Sequence, residues 1–123
     1  MNPGFSKPYI ADTDIAPYLV LKSGSVDGNV ALATTTTDKL KGVSENVQVA
    51  AGQTVDVVTS GIVNVTAGGT IADGDWLTVN GSSQVVTAAP SAGANVQIVG
   101  KALVSAVSGD IFPIFVQLSV LQG

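Results

Sequence analysis

The sequence predicts an all-β protein, a small antiparallel β-barrel or sandwich with an internal pseudo-duplication and an extended N-terminal arm. Short runs of alternating Val, Ile, Thr and aromatic residues recur along the chain at about ten-residue spacing. Turn motifs separate these runs, as Asn80-Gly81 does between residues 76–79 and 84–87; a type I′ turn there would need positive φ at both positions. The two halves of the chain also match each other weakly at a shift of roughly 55 to 58 residues.

The first predicted element is the arm, residues 1–10. Prolines and a glycine in this segment disfavour both a helix and regular sheet pairing. Its apolar side chains could anchor it to a partner, and the candidate contacts are Pro3, Phe5, Pro8 and Tyr9. A disordered terminus, or one folded back on its own domain, is the alternative.

Residues 11–123 are predicted to form a single β-barrel domain. The expected strands cover residues 14–21, 30–33, 55–58, 62–65, 76–79, 84–87, 96–104 and 111–118. Gly100 predicts a bulge or tight bend inside its strand. Pro113 removes a ladder donor, which predicts an edge or bulged position.

The pseudo-duplication predicts two half-barrels, about residues 11–60 and 68–118, joined by a hinge at residues 61–69. The matching segments are Ile15-Ala16 with Ile71-Ala72, Val30-Ala31 with Val85-Val86, Lys41-Gly42-Val43 with Val99-Gly100-Lys101, and residues 51–58 with 108–115. Two such halves would share one core and leave no obvious cleft.

The composition argues against an enzyme. The 123 residues include no Cys and no His, so thiolate chemistry, the usual general base and the Ser-His-Asp triad are all absent. We expect no catalytic residues, no cofactor and no metal site. The five cations are all Lys and the net charge is −4, so we also expect no direct binding to nucleic acid.

The surface chemistry points instead to a protein covered by neighbours. Charged residues make up 11% of the chain, against about 25% in an average soluble domain. A monomeric Thr- and Ser-rich β-domain is the alternative. No apolar run reaches the ~18 residues of a membrane-spanning helix, and a few aromatics cannot form the two belts of a spanning barrel. The N-terminus does not resemble a signal peptide, so we expect a cytoplasmic protein unless an assembly carries it elsewhere.

Three weak chemical motifs have simpler structural interpretations. Asp73-Gly74-Asp75 could begin a calcium site, but the further ligands of an EF-hand loop are missing and a plain turn is favoured. Asp12 and Asp14 would share a face if extended, although solvated turn positions are favoured over an acid/base pair. Lys101 could be a nucleophile of lowered pKa, but a snorkelling or interface lysine is commoner.

An ordered set of short motifs resembles a known family. Residues 11–16 with Leu19-Val20, 33–35, 37–39 and 42–44 are similar to the first half of the capsid decoration (cement) proteins of tailed bacteriophages. Residues 57–62, 74–78, 99–103 and 109–114 are similar to the second half. The resemblance covers about residues 9 to 118, and the order of the motifs carries it. Lys101 departs from the small or apolar residue expected after that glycine.

The resemblance implies a β-barrel, typically trimeric, that binds the outer surface of the icosahedral capsid and stabilises it. The expected partners are the major capsid protein and the chain itself as a homotrimer, without membrane. The expected location is the virion, with the host cytoplasm during assembly. No active site is carried over. Bulky side chains are then expected as core or subunit-joint anchors: Trp76, Phe112 and Phe115.

A second hypothesis is a carbohydrate- or ligand-binding β-module of a virion fibre. Sugar sites usually combine exposed aromatic rings with polar neighbours. The aromatic residues that qualify are Tyr9, Tyr18 and Trp76.

Overall fold

The computed structural model describes residues 4–36, 38–44, 48–89 and 95–122. In these ranges the chain forms nine strands and no helix. The strands are β1 (Gly4–Ala11), β2 (Val20–Ser23), β3 (Asn29–Leu32), β4 (Leu40–Ser44), β5 (Thr54–Thr66), β6 (Trp76–Val79), β7 (Val85–Thr87), β8 (Asn95–Ala102) and β9 (Ile111–Gln122). None of the segments in these ranges forms an apolar helix of membrane-spanning length.

All nine strands belong to one sheet, in the order β1-β3-β2-β4-β5-β9-β8-β6-β7. An additional pairing of β1 with β5 closes the first five of these into a barrel, and the other four strands are bonded outside it. The prediction of an all-β barrel is confirmed. Strand β4 is not among the strands that the sequence predicted, because Leu40 and Val43 are its only large apolar residues and they do not alternate.

The second half of the chain repeats the backbone pairings of the first half. The hairpin β2–β3 corresponds to β6–β7, and the pairings of β2 with β4 and β4 with β5 correspond to those of β6 with β8 and β8 with β9. Outside the strands, the equivalent hydrogen-bonded pairs are Ile15–Val49 with Ile71–Ala106, and Ala11–Gly52 with Ala67–Gly109. The shifts implied by these pairs lie in the range that the sequence match predicted.

Strand β5 belongs to both halves. Its first part pairs with β1, and residues 61–66 pair with β9 in the same antiparallel manner. Residues 61–66, expected to be a hinge, therefore continue a 13-residue strand. Residues 4–10, expected to be an arm, lie along β5 of the same chain and are the structural counterpart of residues 60–66. The repeated unit thus begins earlier than the boundaries that the sequence indicated.

Two clusters of buried side chains follow from this duplication. The smaller one fills the first half and consists of Ala11, Ile15, Leu21, Val30, Val55 and Val57. The equivalent residues of the second half all lie in the larger cluster: Ala67, Ile71, Leu77, Val85, Phe112 and Ile114. The larger cluster also includes first-half residues such as Val20 and Val43, so it extends across the junction between the halves.

Two local predictions need correction. The β6–β7 hairpin exists, but its turn is not a two-residue Asn80-Gly81 turn. It spans residues 80–84, and positive φ occurs at Ser83 rather than at Gly81, because the Asn80 side chain accepts from the Ser82 and Gln84 N–H groups. Pro113 is not in an edge strand, because β9 pairs with β5 and β8. It is tolerated one residue beyond the last pair with β8, Ala102–Ile114.

Candidate functional site

An exposed row of side chains crosses four neighbouring strands of the second half. We call Trp76, Lys101, Phe115 and Ile62 the open row; they are successive partners across β6, β8, β9 and β5. The three apolar members are between 37% and 43% exposed. Because residues at paired positions of neighbouring strands project from the same face, the four side chains form one continuous surface. Adjacent exposed apolar side chains of this kind are typical of a protein interaction site.

Lys101 lies inside this apolar surface and contacts Trp76. Its Nζ atom lies over the indole ring, 5.6 Å from the ring centroid. A cation–π contact at an exposed site stabilises by about 0.5–1 kcal/mol. Lys101 is therefore an exposed lysine in contact with an aromatic ring, and it is not buried in the apolar strand.

The first half carries an equivalent row that is buried. We call Val20, Val43 and Val58 the covered row; they are successive partners across β2, β4 and β5. Each is at most 6% exposed, and all three belong to the larger core cluster. By the pairing scheme they correspond to Trp76, Lys101 and Phe115. The second half of the chain covers this row, whereas no described residue of the chain covers the open row.

Phe112 differs from the other two aromatic anchor candidates. It is 3% exposed and lies in the larger core cluster, opposite Val65 of β5. Phe112 and Phe115 project from opposite faces of β9, because they are three positions apart on a strand whose side chains alternate between faces. The structure therefore places Phe112 inside the fold, and Trp76 and Phe115 together on its surface.

Three of the N-terminal candidates, Phe5, Pro8 and Tyr9, lie on β1. Pro8 is exposed and opposite Asp56 of β5. Tyr9 is half-buried, packs against the smaller core cluster, and has the Lys41 Nζ atom 6.0 Å from its ring centroid. Phe5 has its backbone in β1, but its side chain, like the whole of Pro3, lies outside the described residues. Of this set, Pro8 and part of Tyr9 are available on the surface.

A second apolar surface lies at the β8–β9 loop and the start of β9. Its exposed side chains are Leu103, Val104, Val107 and Ile111. Next to it is a shallow depression lined by Thr70, Ile71, Ala72, Ser105, Ala106, Val107 and Asp110. The depression is open and mostly apolar, and no cluster of metal-ligating residues occurs in the described part of the chain.

The carboxylates support turns. Asp75 accepts from the Ala72 N–H at 3.0 Å and from the Thr87 hydroxyl at 2.9 Å, so the 73–75 segment is a hydrogen-bonded turn. Asp14 accepts from the Ala51 N–H at 3.0 Å. Asp12 instead binds the β2–β3 turn, so these two carboxylates serve different loops.

Asp12 holds the β2–β3 turn through several hydrogen bonds. It accepts from Asn29 Nδ2 at 2.7 Å and from the N–H and hydroxyl of Ser25 at 2.6 and 3.2 Å. The bond from Asn29, followed by that from the Ser25 N–H, holds the pKa of Asp12 below its ordinary value. The spacing of Asp12 and Asp14 could not indicate these hydrogen bonds, because the donors to Asp12 lie more than ten residues further along the chain.

The comparisons with known proteins agree with this architecture. A model of the phage cement protein family matches residues 10–118. The chain belongs to the phage cement protein family. It is therefore a phage structural protein with a β-barrel fold.

A solved structure has a similar fold. It is the head fiber gp8.5 N base of bacteriophage phi29, with a TM-score of 0.67 and 21% sequence identity, over 97% of this chain and 98% of that one. At this identity the likeness concerns the fold. No curated protein matches the sequence.

Sequence reasoning missed part of the surface. Ile62 was placed in an alternating strand, but its position beside Phe115 depends on the pairing of β5 with β9. Val26 was not among the predicted contact residues, yet it is the most exposed of the large apolar side chains described. A valine inside a Ser-, Gly- and Asp-rich turn was the available signal for it.

Proposed function

We propose that this protein is a non-enzymatic head cement protein that binds the outer surface of the icosahedral capsid and stabilises it as a homotrimer. The family match over residues 10–118 carries the proposal. The low fraction of charged residues and the exposed apolar side chains of the open row support it, because exposed apolar surface is typical of sites that a partner covers. The proposed partners are the major capsid protein and further copies of this chain. The proposed location is the capsid surface of the virion, with the host cytoplasm during assembly.

The stabilising mechanism is burial of apolar surface across joints between capsid subunits. Each buried Å² contributes about 25 cal/mol before the costs of association. A trimer that contacts the shell at three places gains avidity, because the second and third contacts form at a high effective concentration. The N-terminal segment with Pro3, Phe5, Pro8 and Tyr9 is the proposed capsid contact.

The test is decoration of purified shells that lack this protein. The wild-type protein is expected to bind at regular positions, visible by cryo-electron microscopy, and to raise the temperature at which the shells release DNA. Pro8→Glu is expected to lower occupancy, whereas Val104→Glu, at an exposed position outside the segment, is the matched control. Shells that remain bare with the wild-type protein would exclude the function. Equal occupancy by both variants would exclude the N-terminal contact alone.

The carbohydrate-binding alternative has weaker support. The Trp76 ring is occupied by Lys101, and its other neighbours in the open row are apolar rather than hydrogen-bonding. Binding in a glycan screen that Trp76→Ala abolishes would favour the alternative, and a wild-type protein without glycan binding would count against it.

A further inference from the structure

The way in which the covered row is buried indicates what kind of surface fits the open row. Within the chain, the β6–β7 turn of the second half lies on the covered row. The Ser83 carbonyl oxygen accepts from the Val20 N–H at 2.9 Å, and both residues are buried. Within one chain, the β6–β7 turn of the second half therefore lies over the covered row of the first half.

The first half has the equivalent turn, and it is exposed. Each turn is closed by a hydrogen bond between equivalent residues, Gly24 N–H to Asn29 in one and Asn80 N–H to Gln84 in the other. Each also has positive φ one residue before its end, at Gly28 and Ser83. The β2–β3 turn carries Val26, which is 62% exposed, and next to it Asp27.

The charges of the turn and the open row are complementary. Lys101 lies in the middle of the open row, and Asp27 follows Val26 on the turn. No ion pair to the Asp27 carboxylate occurs among the described residues. Two open rows packed face to face would instead bury both Lys101 side chains without an opposite charge, which is unfavourable. The complementary surface is therefore a different part of the molecule.

We propose that the open row of one copy binds the β2–β3 turn of a second copy, with Val26 packed against Phe115 and Asp27 paired with Lys101. Within a chain, Ser83 near the end of the β6–β7 turn contacts the covered row, whereas between chains the tip of the β2–β3 turn would contact the open row. Because it joins two different surfaces, the contact passes from copy to copy, and the proposed homotrimer is the case in which three copies close into a ring. It rests on the self-association in the proposed function and names the surfaces that carry it.

Disulfide cross-linking tests which surfaces meet, since the chain has no cysteine of its own. Val26→Cys and Phe115→Cys are prepared separately, mixed and oxidised mildly. The mixture is expected to form disulfide-linked dimers, while neither variant alone does. Val26→Cys mixed with Val104→Cys is the control and should remain unlinked. Cross-linking of Phe115→Cys with itself, or no link in the mixture, would overturn the proposal.

A charge reversal provides the second measurement. Asp27→Lys and Lys101→Asp are each expected to weaken self-association at least about tenfold in sedimentation experiments, and the double variant to restore most of it. Equal association by all variants would contradict the ion pair. Shell decoration is measured separately. A protein that decorates shells but does not cross-link retains the proposed function without this interface, and one that cross-links but leaves shells bare has the interface without the function.

Discussion

Gly100 of β8 lies against the carbonyl oxygen of Phe115 on β9, and a Cβ atom at position 100 would overlap that oxygen. Gly42 has the same relationship to the Val58 carbonyl in the first half. The register of β8 and β9 shifts between Ile98 and Gly100, which confirms the predicted bulge. Each half therefore contains one glycine at which two strands approach too closely for any side chain.

The Gly100→Ala variant is expected to lower the free energy of unfolding by about 3 kcal/mol, since backbone atoms of two paired strands must move apart. Gly81→Ala is the matched control, because the space around a Cβ at position 81 is open and its φ is ordinary. Urea unfolding monitored by Trp76 fluorescence gives both values. Equal midpoints for the two variants would show that the close approach is not present in solution.

Two buried hydroxyl groups in strands, those of Ser44 and Thr78, should respond oppositely to removal. Ser44 Oγ accepts from the Leu19 N–H at 3.0 Å and donates to the Ala16 carbonyl at 2.9 Å. Ser44→Ala leaves both backbone groups without this hydrogen-bond partner and should lower the free energy of unfolding by about 1–3 kcal/mol. Thr78 Oγ1 is buried without a hydrogen-bond partner in the described structure. Thr78→Val keeps the shape and removes the unsatisfied hydroxyl, so it should stabilise by about 1 kcal/mol. Thermal unfolding measures both; a destabilised Thr78→Val would indicate a partner for this hydroxyl.

Exchanging residues between the two rows should have unequal effects. Val43→Lys places the residue of the open row in the covered row, where the charge would be buried without a partner. We expect a loss of at least about 3 kcal/mol, or no folded protein. Lys101→Val makes the reverse exchange at an exposed position, where only the cation–π contact with Trp76 is lost, and should lower the free energy of unfolding by no more than about 1 kcal/mol. A folded and stable Val43→Lys variant would contradict the burial of the row.

Stability is expected to fall in acid partly through Asp12. Its carboxylate has a pKa below the ordinary value of 3.8, chiefly because of the hydrogen bond from Asn29. A lowered folded-state pKa adds stability above the unfolded-state pKa, and this is lost as the pH falls through the folded value. Asn29→Ala should therefore raise the Asp12 pKa in an NMR titration. An unchanged titration would show that Asn29 is not its principal donor.

Asp38 contributes in the same direction. Partial desolvation raises its pKa, but hydrogen bonds from the Thr34 and Thr35 N–H groups and the charge of Lys22 outweigh this, and the net pKa is lowered. The ion pair with Lys22, 3.7 Å long, is partly exposed and contributes little by itself.

Most of the strands could be predicted, because each carries its own alternating apolar residues and its own turn residues. Val30 and Val85 lie at the positions that the internal match indicated, and so do Ile15 and Ile71. The boundaries of the repeat could not be found in this way. Residues 4–10 and 60–66 share little sequence, and their equivalence is visible only in how both pair along the sheet.

The sequence by itself determined the all-β class, the duplication, the family resemblance and the lack of residues for common catalytic chemistry. These depend on residue type and short-range spacing, which the chain carries locally. Only the tertiary structure decided which copy of each repeated surface is buried. Val43 and Lys101 occupy the same position in their halves, but strands far away in sequence cover one and leave the other open. Burial of that kind depends on contacts between the halves, which no local pattern contains.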